Sequence, residues 1–402
     1  MNVLLLNAGS SSLKATLMTS DDRTVVAHAL ADWAGTEARY QYVAPDGQQR
    51  SETVPWKGHG EAVRRLVFDL THGELVALPE PSALAAVGHR VVHGGPFKSP
   101  VRITPEIRAR VAELVELAPL HNPPSLEALA AAEAELPGVP HVAVFDTAFH
   151  ATLPPEAQTY PVPQRWTRDW GIRRFGFHGL SHAYCSRRAA EILSRPVEEL
   201  RLVICHLGHG CSASAVRGGR CVDTTMGFTP LEGLMMATRS GSIDPGIVTH
   251  VQRHHGLTAE QVETALNRES GLLGVSTVSA DMRQVLEAAR QGHEQARLAI
   301  GIYTHRVRQA IGAMAVTMGG VDALVFTAGV GEHAVEVREA ICAGLECLGL
   351  ELDRTANATC RPDGDVAHHR SRGRILVITT REDATMLDDV IRVLHAECAV
   401  RE

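Results

Sequence analysis

Short uninterrupted apolar runs alternate along this chain with longer stretches of helical periodicity. Val3–Leu6, Val142–Phe145, Leu202–Cys205 and Ala323–Phe326 are unbroken apolar runs. Runs this short, bounded by Gly, Asn, Asp or His, predict strands buried on both faces. Val87–Val92, ending at Gly94-Gly95, and Ile375–Thr379 add two more. Between them the pattern predicts helices around Glu61–Phe68, from Thr104-Pro105 to Ala118, over Leu126–Leu136 and from Ser181. Further helices are predicted at about 258–267, at 283–316, from Val335 and at about 384–397. Strands alternating with helices predict α/β layers.

One local design occurs twice. The first strand runs into Asn7-Ala8-Gly9-Ser10-Ser11-Ser12 and resumes at Leu13-Lys14. Leu202–Cys205 runs into His206-Leu207-Gly208-His209-Gly210-Cys211-Ser212 and resumes at Ala213. Superposing them aligns Asn7 with His206 and Gly9 with Gly208, an offset (206 − 7) of 199 residues in a chain of 402. Turns built of small residues let backbone N–H groups close on phosphate oxygens. Two of them half a chain apart predict a duplicated domain with a nucleotide held between the halves.

Composition narrows the function. At 402 residues the chain has room for about two to four domains, and 45% hydrophobic with 21% charged residues is ordinary globular composition. Lys and Arg number 39 against 46 Asp and Glu, a formal charge of −7. That balance argues against general nucleic-acid binding, which needs clustered cation, but local Arg residues can still receive a small anion. The eight cysteines form no CxxC pair, which predicts free thiols in a reducing, cytoplasmic setting. Met1 leads directly into a strand, and no apolar run is long enough to span a bilayer.

Several residues sit where chemistry gathers in α/β folds. Asp146 ends one apolar strand and Glu382 follows another, at the sheet edge where ligands collect. Alternation along 87–92 places Arg90 and Val92 on one face, a charge beside an apolar wall. Taken alone, Arg90 reads first as an ordinary ion pair, Asp146 and Glu382 as helix caps, and Val92 as core.

Taken together, nine blocks in order resemble the acetate kinase family of the actin-like ATPase superfamily. They are Asn7–Lys14, Gly88–Gly95, Leu117–Pro124, Phe145–His150, Phe175–His182, Asp223–Arg239, Asp281-Met282-Arg283, Phe326–Glu332 and Glu382. The resemblance implies two ribonuclease H-like lobes with a nucleotide cleft: 1–148 plus 384–402, and 149–383. It implies transfer of the ATP γ-phosphate to acetate, giving acetyl phosphate and ADP, with Mg²⁺ (Mn²⁺ as the alternative ion), in a homodimer.

It also implies roles for residues. Arg90, Asp146, His178 and Arg239 would be catalytic. Arg90, Val92, Leu120, Phe177 and Pro230 would hold the acyl acid. Ser12, Lys14, His206, Gly208, Gly210, Asp281, Met282, Arg283, Gly329 and Gly331 would bind nucleotide, with His121 near the phosphates. Asn7 and Glu382 would hold the metal. The chemistry is consistent with this set. A carboxylic acid is already ionised at neutral pH, so its attack needs cations and alignment rather than a strong base.

The chain departs from the family's pattern at His209, His333 and Arg381, where Asn is common, and at Ser242, where an acid is common. Two imidazoles near the nucleotide would alter nucleotide choice or add pH dependence to its binding. Propionate kinase activity is the nearest alternative and butyrate kinase activity a more distant one. A nucleotide-gated binding module without acyl chemistry is the alternative of a different class.

Overall fold

Two sheets organise the chain. The computed structural model describes residues 1–118 and 121–401, and it divides into a first unit, Met1–Ala148 with Arg381–Glu402, and a second, Phe149–Thr380. Glu382 therefore lies with the first unit.

The first unit's strands are β1 (Asn2–Gly9), β2 (Ser12–Thr19), β3 (Val25–Asp32), β4 (Ala38–Val43), β5 (Gln49–Val54), β6 (Leu84–Val91), β7 (Val101–Arg102) and β8 (His141–Phe145). They form one sheet in the order β5-β4-β3-β2-β1-β6-β8-β7. The β1–β2 hairpin is antiparallel, whereas β1, β6 and β8 run parallel. The second unit contains β9 (Arg201–Leu207), β10 (Cys211–Arg217), β11 (Arg220–Thr224), β12 (Ala323–Thr327), β13 (Gly364–Asp365) and β14 (Arg374–Val377), in the order β11-β10-β9-β12-β14-β13. That order matches β3-β2-β1-β6-β8-β7 strand for strand, including the hairpin, the parallel centre and the antiparallel edge. The first unit adds β4 and β5.

Burial explains the apolar runs. In the first unit Ala62, Val63, Leu66, Val67 and Leu70 form one buried stripe of the helix His59–Thr71, packed with Leu4, Leu6, Leu17 and Tyr40 of the sheet. The terminal helix Glu382–Arg401 also packs on this unit's sheet, against β1, β6 and β8. In the second unit every residue of β9 from Leu202 to Leu207 is buried, as expected of a strand covered on both faces.

Two helical expectations change. The predicted helix 283–316 is two helices, Met282–Arg290 and Glu294–Thr317. Gly292 between them has φ 97°, and the His293 side chain caps the second by accepting from the Ala296 amide. The predicted helix 104–118 stops at Glu113 and continues as a 3₁₀ turn, Leu114–Leu117. An exposed helix, Pro245–His255, was not anticipated.

Gly88 marks the tightest fit of the returning helix. A Cβ there would lie 2.7 Å from Val390 Cγ2 and 2.9 Å from Leu5 Cδ2. Gly88→Ala is expected to destabilise the first unit by about 1–3 kcal/mol through overpacking. Urea midpoints measure this, and an unchanged midpoint would show that the helix moves aside at no cost.

Candidate active site

In the first unit three chain segments deliver polar groups to one guanidinium carried by a fourth. Arg90 stands near the end of β6, Asn7 near the end of β1, Asp146 directly after β8, and Glu382 opens the terminal helix. Arg90 Nε donates to Asp146 Oδ1 at 3.0 Å and Nη2 to Oδ2 at 2.6 Å, a bidentate pair. Nη1 donates to Asn7 Oδ1 at 3.1 Å and lies 3.4 Å from Glu382 Oε2. Asp146 is only 1% exposed. Burial weakens the guanidinium's hold on its proton, but Asp146 and then Glu382 more than reverse this, so the Arg90 pKa rises above its ordinary value. Arg90 is thus the centre of a partly buried charge cluster rather than a lone surface charge.

Two carboxylates and an amide oxygen around Arg90 form a hard-oxygen donor set. Such a set suits Mg²⁺, which takes few protein ligands and keeps water and phosphate oxygens. Among the described residues no group of three His, Cys, Asp or Glu side chains is arranged to hold a metal.

The β1–β2 turn holds the remaining first-unit candidates. Ser12 pairs with Gly9, a Cβ on which would lie 2.9 Å from Ser12 Oγ, and Lys14 is exposed. Val92 follows β6 and is partly buried. Leu120 lies outside the described residues.

In the second unit the turn after β9 is flanked by imidazoles and a guanidinium. His178 adopts a left-handed conformation (φ 57°, ψ 27°) just before the helix Gly179–Leu193. Gly176 has φ 76°, and a Cβ there would strike His150 Cγ at 2.5 Å. His150 clamps this loop: its Nε2 lies 2.9 Å from the Phe177 carbonyl, which only accepts, so that nitrogen carries the proton. The His178 ring stacks on His206 with centroids 4.2 Å apart. His206 Nδ1 meets Ser181 Oγ at 2.8 Å, and Ser181 in turn accepts from the Thr380 hydroxyl at 2.9 Å. A Cβ on Gly210 would lie 3.3 Å from His178 Nε2 and 3.6 Å from Arg239 Nη1, while one on Gly208 would lie 3.3 Å from His206 Nε2. Arg239 donates to the Pro230 carbonyl at 3.2 Å. Burial lowers its pKa, but a guanidinium stays charged. Phe177 is buried.

The same turn borders a cavity of about 1110 Å³. Gly208, Asp281, Met282, Arg283 and Gly329 line it, joined by His209 and His333. Asp281 also caps the helix Met282–Arg290, accepting from the Arg283 amide at 2.9 Å, and pairs with the Arg283 guanidinium at 2.5 Å. Gly331 is not a lining residue. It is buried beside β9, where a Cβ would lie 3.7 Å from both Cys205 O and Leu207 Cβ, an ordinary contact distance. Ser242 accepts from the Gly233 amide, and Arg381 pairs with Asp383. Reading the sequence missed Ser212, whose hydroxyl contacts both His178 and His182. The only available signal was the i, i+4 spacing of the two histidines.

The fold and these clusters define an α/β protein with a duplicated sheet, one unit gathering oxygen donors and the other N–H donors around a cavity. The chain belongs to the acetokinase family, whose model matches residues 2–388. It is 46% identical to an acetate kinase of Rippkaea orientalis over 392 residues, spanning 95% of this chain and 97% of the relative. Its structure matches that of Porphyromonas gingivalis acetate kinase with a TM-score of 0.90 at 38% identity, covering 98% of this chain and 99% of the other. A propionate kinase of Francisella tularensis matches at TM-score 0.89 and 35% identity, covering 96% and 98%. Among the described residues no helix is long and apolar enough to cross a membrane.

Burial makes a testable demand on His150. It lowers the imidazole pKa from 6.5 to about 4 in the folded chain. The unfolded chain then binds more protons between these values. The associated stability is complete above about pH 6.5 and is lost as pH falls towards 4, amounting to about 3 kcal/mol. Urea midpoints should fall over this range, and less steeply in His150→Gln, which keeps a donor for Phe177. Equal slopes for the two proteins would refute the assignment.

Proposed function

We propose that this chain catalyses reversible transfer of the ATP γ-phosphate to acetate, giving acetyl phosphate and ADP. The observation that carries the reading is in the second unit. A nucleotide-sized cavity opens beside a phosphate-type turn whose other side faces His178 and Arg239. Full-length family membership supplies the acyl acceptor.

The acetate carboxylate attacks as the anion, so no residue need take its proton. The protein's task is to bring two anions together. Arg90 and Arg239 supply fixed positive charge, and guanidinium forks suit carboxylate and phosphoryl oxygens. Asp146 orients Arg90 through the bidentate pair. His178 donates to the phosphoryl oxygens. Val92, Leu120, Phe177 and Pro230 would enclose the methyl group and exclude water that would otherwise hydrolyse ATP. Asn7 and Glu382 would hold Mg²⁺, with Asp146 acting through water. The bound ion supplies positive charge to the phosphates. Ser12 and Lys14 at the first hairpin, and Gly208, Gly210 and Gly329 in the second unit, would approach the nucleotide through their small turns. A homodimer in the cytoplasm is the assembly and location proposed with this activity.

Propionate is the second reading, favoured by the likeness to the Francisella propionate kinase. One methylene changes binding by only about 1–3 kcal/mol, so a panel of C2–C4 acids decides preference.

An acetate-dependent hydroxamate assay with ATP and Mg²⁺ is expected to give product. Arg90→Ala should lower kcat by about 10³-fold or more while ATP still binds the second unit. Absence of product with every short acid would favour a nucleotide-gated binding module. Near-normal turnover in the variant would remove Arg90 from the mechanism.

His209 gives a separate expectation. Burial, then the nearby Arg239 guanidinium, hold the His209 pKa below its ordinary value of 6.5. A protonated imidazole on the cavity wall attracts polyphosphate, so ATP binding through this residue should tighten only as pH falls below about 6.5. Calorimetric titration of wild type and His209→Asn should show that rise only in the former. Identical profiles would exclude the residue.

A further inference from the structure

Ser212 holds a single hydroxyl between two imidazoles. Its Oγ lies 2.7 Å from His182 Nε2 and 3.0 Å from His178 Nδ1. A hydroxyl has one proton to give and lone pairs with which to accept. It therefore donates to at most one of these rings, and the direction is set at His182. That ring is fully buried on the helix Gly179–Leu193. Among the described residues its Nδ1 has no hydrogen-bond partner. Burial, then the neighbouring His150 and His206, hold its pKa well below the ordinary value, so the ring carries one proton. A buried N–H without a partner is rarer than a buried acceptor without one. The proton accordingly sits on Nε2 and is donated to Ser212. Ser212 then gives its own proton to His178 Nδ1, and neutral His178 keeps its proton on Nε2. That nitrogen borders Gly210, on the side shared with Arg239.

We propose that His182 is a positioning residue that acts through Ser212 to hold His178 in the Nε2–H tautomer, so that the ring presents a donor to the phosphoryl oxygens in transit. Reversed, the wiring would present a lone pair to those oxygens and repel them. No proton need leave the relay during turnover, because the wiring fixes an orientation and transfers nothing. The proposal rests on the phosphotransfer reading of His178, but the tautomer itself is observable without any turnover.

The experiment uses the full chain labelled with ¹⁵N-histidine. Long-range ¹H–¹⁵N correlation spectra are recorded at mildly alkaline pH, and His178 is assigned by difference with His178→Asn. The expected wild-type spectrum shows an unprotonated Nδ1 and a protonated Nε2 at His178. Ser212→Ala and His182→Leu should both give mixed tautomers. Their kcat should fall by roughly tenfold or more, less than the about 10²–10³ lost when an oxyanion donor is deleted outright, with the KM for ATP changed far less. His182→Gln, which retains a donor towards Ser212, should recover most of the tautomer and of kcat. A protonated Nδ1 at His178 in the wild type would overturn the proposal. So would an unchanged tautomer in Ser212→Ala, a variant that decides the matter even where His182→Leu fails to fold. Equal loss in a folded His182→Gln and His182→Leu would show packing rather than wiring. A wild-type enzyme with the expected tautomer but no acyl phosphate product would instead refute the phosphotransfer reading and leave the wiring standing.

Discussion

A guanidinium cannot shed its proton to enter a protein interior, and this constraint shapes the first unit. Arg90 is largely withdrawn from water, so compensating charge must come to it. Asp146 meets it in a bidentate pair and Glu382 stands close by, with Asn7 filling a further donor position. These partners arrive on separate segments: the end of β1, the loop after β8 and the start of the terminal helix. Removing one partner from a buried pair typically costs about 3–5 kcal/mol, because the other charge is stranded. The cluster therefore ties down the chain's return to its first sheet with the same atoms that would meet an anionic substrate.

The duplication shows how one backbone plan yields two chemistries. Each sheet places a hairpin beside a parallel strand, and the turns occupy matching positions. In the first unit the position before the turn is Asn7, an oxygen donor to cations. In the second it is His206, stacked on His178 beside Arg239 and the Gly208–Gly210 turn. The first unit thus collects oxygens suited to a hard cation, and the second collects N–H groups suited to an anion. What diverged is the side chain at a conserved place in the sheet, since the strand order is common to both.

Much of this was legible in the residues. Short unbroken apolar runs ending at polar residues revealed the central strands, and the repeated hairpin revealed the duplication, because both follow from local chemistry. The long periodic stretch 283–316 hid its break, since amphipathic spacing continues across Gly292 and a lone glycine is tolerated in a helix. Pro245–His255 went unread although Asp244-Pro245 and Gly256 mark its ends, because it buries no stripe. Arg90 and Asp146 stood out as charges at strand ends. Their mutual pairing depends on the parallel register that sets Val91 beside Phe145, which no local pattern encodes. His182 and Ser212 were least visible, since their role depends on counting protons among neighbouring atoms.

That proton count also explains why a neutral donor fits beside the second turn. The His178 and His206 rings stack at 4.2 Å, and Arg239 already brings a permanent positive charge to Gly210. Two unit charges about 4 Å apart repel by about 4 kcal/mol at an effective dielectric of about 20. Charging both rings beside Arg239 would work against the packing that holds them. An imidazole fixed as the Nε2–H tautomer offers its N–H without adding charge before the phosphoryl group arrives. It needs no reorganisation when negative charge develops, which is the condition under which a preoriented donor is most effective. The buried His182–Ser212 pair is placed to meet that condition, since that contact is closed to solvent and each polar atom in the relay has one assigned direction.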